Sequence, residues 1–145
     1  MSKPSKWRFV RFCDSSRDLL VCPTGSLYRS TDGGQTWTSS YDCYCRAVWV
    51  DPAEPDHSVL GPADGVERNG RIEESRDGGK GWSTASAGMA ALWPRSMVER
   101  FAQVGDALLA VRSDDQLLAA PLSALSWRRI LPDIANVNAA TAMAE

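Results

Sequence analysis

Apolar residues along this chain fall in short runs separated by clusters of Asp, Ser, Gly and Pro, and the period that fits them is that of strands. The first four runs are residues 8–13, 19–22, 26–30 and 37–40. The polar link Asp-Ser-Ser-Arg-Asp separates the first two, Pro-Thr-Gly the next pair, and Asp-Gly-Gly the last. The same succession returns at 46–50, 58–60, 71–75 and 82–85, and again at 98–103, 107–111, 116–119 and 127–131. Twelve strands follow from this pattern. The one stretch with room for a helical turn is 89–101.

The succession is a repeat. Trp37, Trp82 and Trp127 stand 45 residues apart, and so do Leu27, Ile72 and Leu117. Ser30-Thr31-Asp32-Gly33-Gly34-Gln35-Thr36-Trp37 is echoed by Ser75-Arg76-Asp77-Gly78-Gly79-Lys80-Gly81-Trp82, whereas the third copy keeps only Ser126-Trp127. A period near 45 that contains four short strands is the length of one β-propeller blade. The predicted architecture is therefore all-β. About three four-stranded antiparallel blades are expected at 7–42, 43–88 and 95–131, and 134–143 reads as the first strand of a further blade.

Ser-x-Asp-x-Gly-x-Thr-Trp is the Asp-box, or BNR repeat. The first copy matches at every position, and the second has Gly81 in place of Thr. Together with Val48-Trp49-Val50-Asp51-Pro52, these segments make the chain resemble BNR and YVTN-type propeller repeats. Such repeats occur in sialidases, in xyloglucan-active glycoside hydrolases, in the sortilin ectodomain and in photosystem II assembly factors. The resemblance implies that the boxes lie at the blade periphery, away from any catalytic centre. It makes Ser30, Asp32, Gly34, Thr36, Trp37, Ser75, Asp77, Gly79, Trp82 and Trp127 structural residues. The chemistry agrees. An Asp side chain closes a turn by accepting from nearby amides, glycines take positive φ without penalty, and a Trp buries its ring while donating its indole N–H.

Composition narrows the function. Sixteen basic against 18 acidic residues leave a formal charge of −2, which argues against the basic face that nucleic-acid binding needs. No run approaches a membrane-spanning length, so no membrane partner is expected. The N-terminal Met-Ser-Lys-Pro-Ser-Lys-Trp lacks the apolar core of a secretory signal. With Cys13, Cys22, Cys43 and Cys45 read as reduced thiols, the expected compartment is the cytoplasm, or an extracytoplasmic one if the N-terminus is processed. The cysteine spacing fits no zinc pattern, and neither a metal nor a cofactor is expected.

No catalytic residue stands out. His57, the single histidine, follows Asp-Pro-Ala-Glu-Pro-Asp and reads as a loop residue. Asp14, Asp18, Asp51, Asp56, Asp114 and Asp115 all sit where turns are expected. A sialidase-like site would need three arginines, a Tyr/Glu pair and an acidic residue drawn from around a whole ring. Trp7, Trp49, Trp93, Tyr41 and Tyr44, which the boxes do not explain, read as packing between blades. Three blades form an open arc, whose uncovered faces call for a partner. The expected function is a non-catalytic propeller module for protein binding or assembly, within a larger or oligomeric propeller. The alternative is a piece of a glycoside hydrolase propeller that acts on or binds carbohydrate.

Overall fold

The computed structural model describes residues 7–12, 19–23 and 26–131, with side chains placed for residue 20 and for 26–131. The segment 134–143, Cys13, Asp14, Asp18 and the side chains of Trp7 and Cys22 lie outside the described residues.

Twelve strands form three four-stranded sheets, each a simple meander. The first contains β1 (Trp7–Phe12), β2 (Leu19–Pro23), β3 (Leu27–Ser30) and β4 (Thr38–Tyr41). The second contains β5 (Tyr44–Val50), β6 (Ser58–Ala63), β7 (Glu73–Ser75) and β8 (Ser83–Thr84). The third contains β9 (Val98–Val104), β10 (Ala107–Arg112), β11 (Leu117–Pro121) and β12 (Arg128–Ile130). All pairings within the sheets are antiparallel. The leading strands converge, with β5 packed against β1 and β2 on one side and against β9 on the other. These are the blades of a partial propeller.

The helical turn expected within 89–101 does not form. Trp93 instead makes an isolated bridge with Gly70, with N–H to carbonyl distances of 3.1 and 2.8 Å in the two directions. Residue 98 already begins β9. Backbone bonds of 93–97 to the 64–71 loop outcompete a local helix there.

The core is two layers of packing between sheets, and the second sheet belongs to both. Ala47, Trp49, Val59 and Ile72 pack toward the third sheet, against Val98, Phe101, Leu108, Ala110, Leu118, Ala120 and Trp127. Val48, Val50, Leu60 and Cys45 pack toward the first, with Leu20 and Leu27. Strict alternation along β5 would put Cys45, Ala47 and Trp49 on one face. The register shift between Cys45 and Val48 breaks that alternation and sends Cys45 to the opposite layer. Strand β6 is buried throughout, including Gly61-Pro62. A Cβ on Gly61 would lie 2.7 Å from Cβ of Val98, so the glycine lets two sheets approach closely.

Candidate functional site

Antiparallel meanders put the 51–57 and 75–82 connections on one edge of the second sheet, and the 64–72 loop and the links between sheets on the other. Three places carry side chains that could act on something outside the chain: the recurrent turns, the opposite edge, and the outer face of the third sheet.

The two turns are built alike. Ser30 Oγ donates to Asp32 Oδ1 at 2.8 Å, which also accepts from the amides of Gln35 (3.0 Å) and Thr36 (2.9 Å). Ser75 Oγ donates to Asp77 Oδ1 at 2.7 Å, which accepts from Lys80 (3.1 Å) and Gly81 (2.9 Å). Each serine oxygen accepts in turn from the amide of Gly34 or Gly79. Gly33, Gly34, Gly78 and Gly79 all have φ between 73 and 92°, where a side chain would be strained. Trp37 and Trp82 donate their indole N–H to Gly34 O and Gly79 O at 3.0 and 3.2 Å. The hydroxyl of Thr36 adds a bond to Asp32 Oδ2 at 2.5 Å, which Gly81 has no side chain to match. Hydrogen bonds from the Thr36 hydroxyl and amide and from Ser30 hold the Asp32 carboxyl far below its ordinary range, and those from Gly81 and Ser75 lower Asp77. Carboxylates so engaged are turn clamps. Trp127 stands differently: without a preceding turn of this type, its indole donates to Ala85 O, in the link between the second and third sheets, at 2.8 Å.

Polar networks occupy the opposite edge. Tyr41 donates to Glu73 at 2.6 Å, and Arg71 reaches Glu73 (3.1 Å), Tyr41 (3.3 Å) and Asp64 (3.1 Å). A cleft of about 370 Å³ lies beside them, lined by Asp42, Cys43, Tyr44, Asp64 and Arg71 among others. Burial and the bond to Glu73 raise the Tyr41 hydroxyl, and bonds from Asn69 and Arg71 lower Asp64. A general acid needs a raised carboxyl, and Asp64 is moved the other way. A second cleft, of about 530 Å³, runs past Trp93, Arg112 and Asp114. There the Arg112 guanidinium lies 4.2 Å from the Trp93 ring centre and bonds Ser96, Asp114 and Gln116. Neither network is legible in the sequence, because each joins residues from different repeats or loops. Of the unexplained aromatics, Trp49 and Trp93 are buried in the core, while Tyr41 and Tyr44 are half-buried at this edge.

His57 closes its loop as expected, but its side chain is buried. Its ring is 2% exposed, edge-on to Trp49, with Nε2 3.0 Å from Glu74 Oε2 and Nδ1 3.3 Å from Asp51 Oδ2.

The outer face of the third sheet carries partly exposed apolar residues. Leu108, Ala110, Leu118 and Ala120 point to the second sheet. Pairing then places Arg100, Ala102, Val104, Ala107, Leu109, Val111, Leu117 and Ala119 on the other side, where Val111 and Ala119 are buried and the rest are half-buried or exposed. The 45-residue repeat explains what this side is. Leu27 faces the second sheet and Ile72 the third, and each is 0% exposed. Leu117, next in the series, is only half-buried, as is Leu109 beside it. Val104 is 42% exposed. A depression of about 430 Å³ opens there between Val104, Ala107, Ala119 and Pro121.

No family description matches this sequence, and no curated protein is significantly similar to it. Solved structures are similar in fold. The GH74 enzyme of Niastella koreensis superposes with a TM-score of 0.65 at 19% identity, over 81% of this chain and 20% of that one. An ancestral GH74 enzyme gives 0.55 at 12% identity, over 89% of this chain and 26% of that one. The chain thus spans about a fifth to a quarter of the length of these propeller enzymes, and at such identities the likeness is one of fold.

Proposed function

We propose that this chain is a non-catalytic Asp-box propeller module whose work is assembly: the outer face of its third blade docks a further blade, supplied in solution by a second copy of the chain. The observation that carries the reading is the series Leu27, Ile72, Leu117, in which a position sealed twice by a following sheet is left half-open the third time. Full burial of a leucine contributes about 1.5–3 kcal/mol, and Leu109 and Leu117 still have part of that to gain. The two turns, with Ser, Asp, Gly and Trp in the box positions and their carboxylates engaged by the chain's own donors, support a role in holding blades rather than in chemistry. The arginine-neutralised carboxylates at the opposite edge favour the same side.

Light scattering on the purified chain tests this. The expected mass is a multiple of 15.8 kDa, falling to one chain in a folded Leu109→Lys, Leu117→Lys variant. A folded wild type that stays monomeric at every concentration refutes assembly by self-docking. Carbohydrate is the competing ligand class, in keeping with the GH74 likeness. A glycan array that lights up with the wild type and with the double variant alike would favour it instead.

A further inference from the structure

The 51–57 loop gathers three ligand atoms in one place. One oxygen each of Asp51 and Glu54 and one ring nitrogen of His57 lie within 4.8 Å of one another. The loop is held from within: Asp51 N–H donates to His57 O at 2.9 Å, His57 N–H to Glu54 O at 2.8 Å, and Ala53 N–H to Asp51 Oδ1 at 2.9 Å. Pro52 and Pro55 limit its backbone further. Gly78 N–H donates to Asp56 O at 3.0 Å and ties the loop to the neighbouring turn.

A carboxylate oxygen faces each ring nitrogen of His57, Glu74 Oε2 at 3.0 Å from Nε2 and Asp51 Oδ2 at 3.3 Å from Nδ1, on a side chain 2% exposed. With Nε2 donating to Glu74, Nδ1 would present a lone pair toward Asp51, an arrangement that a cation between the two can bridge. Donors held at about 2.0–2.2 Å around a tetrahedral zinc ion stand roughly 3.3–3.5 Å apart, which is the separation of Nδ1 and Oδ2. Glu74, on β7, then orients the ring from outside, as carboxylates do behind metal-bound histidines. The surroundings are electronegative. Asp51, Glu54 and Glu74 cluster here, with Arg76 3.2 Å from Glu54 and 3.7 Å from Glu74. That pair with Glu54 is more than half exposed on both sides and yields Glu54 at little cost.

We propose that this loop is a binding site for a divalent transition-metal ion of the zinc or cobalt kind, with Asp51, Glu54 and His57 Nδ1 as ligands and a fourth position left to solvent. One nitrogen and two carboxylate oxygens suit such ions better than the all-oxygen cages of calcium or magnesium. The ion clamps the 51–57 loop of the second blade where it meets the Ser75–Trp82 turn.

Titration of the reduced full chain with zinc, followed by calorimetry, and with cobalt, followed by its visible spectrum, tests the site. One ion per chain is expected, with an N/O-type cobalt spectrum free of thiolate charge transfer, unchanged in a Cys43→Ser, Cys45→Ser variant. Asp51→Asn and Glu54→Gln are expected to weaken binding at least tenfold, and Glu74→Gln by about 10–100-fold. His57→Ala removes a core side chain and can unfold the chain, so Glu54→Gln, at an exposed position, is the decisive variant. The proposal is overturned by any of three results: no saturable binding to a folded wild type, binding lost with the cysteines, or full affinity in Glu54→Gln and Asp51→Asn. An apo-protein nitrogen spectrum with both ring nitrogens protonated, together with no zinc uptake, would show that an imidazolium fills the role instead.

Discussion

At the scale of single residues, the chain spends carboxylates on backbone. Asp32 gathers amides and two hydroxyls around one side chain, and these bonds favour its charged form, so its ionisation is linked to folding. The sign follows from the direction of the shift. A carboxyl lowered in the folded state adds stability above its ordinary value of 3.8 and loses that contribution as the pH falls below it. Asp77 is shifted the same way. The wild type is therefore expected to lose stability steeply below pH 3.8, and Asp32→Asn to start lower at neutral pH with a shallower acid slope. Urea midpoints from pH 7 down to acid, by circular dichroism, check this, and parallel curves would contradict it. The cysteines show a different use. The thiol of Cys43 is pushed up by its hydrogen bond with Cys45 and by burial, so it stays a neutral core atom rather than a reactive thiolate.

At the scale of elements, the strands were written plainly and the contacts between them were not. All twelve expected runs overlap a strand, because alternation and turn residues are local signals. Boundaries erred where tertiary packing decides. The run at 58–60 stops at Gly61-Pro62, which reads as a turn, yet β6 continues to Ala63. Pro62 still offers its carbonyl to Arg71 N at 3.0 Å, and only a glycine fits against Val98. The bulge in β5 was equally hidden, since Cys45 and Ala47 carry no mark of facing opposite layers. The Tyr41–Arg71–Glu73 and Trp93–Arg112 groupings, and the double carboxylate around His57, depend on pairs that only the folded register brings together. One such contact yields a prediction. A Cβ on Gly70 would meet Ser96 O at 2.1 Å and Met97 Cα at 2.5 Å, both backbone-anchored. Gly70→Ala is expected to destabilise by about 1–3 kcal/mol or more by prising the 64–71 loop from the 93–97 link, as denaturant unfolding reads directly. An alanine variant as stable as wild type would mean the two segments do not dock this closely.

At the scale of the molecule, stability is distributed as in other stacked repeats, by what each sheet finds on its two sides. Among the described residues, the second sheet has both faces sealed, by Leu20 and Leu27 on one side and by Phe101, Leu108 and Trp127 on the other. Exchange of its backbone amides with solvent therefore requires opening two layers, whereas the third sheet opens by losing one. Amides of β5 and β6 are expected to be the last to exchange. Those of β10 and β11 should be faster in dilute monomer, and the short outer strands β8 and β12 fastest. Docking a further blade on the third sheet would change only one part of this order. At concentrations where the chain self-associates, β10 and β11 would slow toward the rates of β5 and β6, and the Leu109→Lys, Leu117→Lys variant would not show the change. Exchange followed at two protein concentrations by mass spectrometry separates the effects. Equal protection across the three sheets in the monomer would mean that the outer face of the third is already covered, and the half-open leucines would then have lost their claim to be a docking surface.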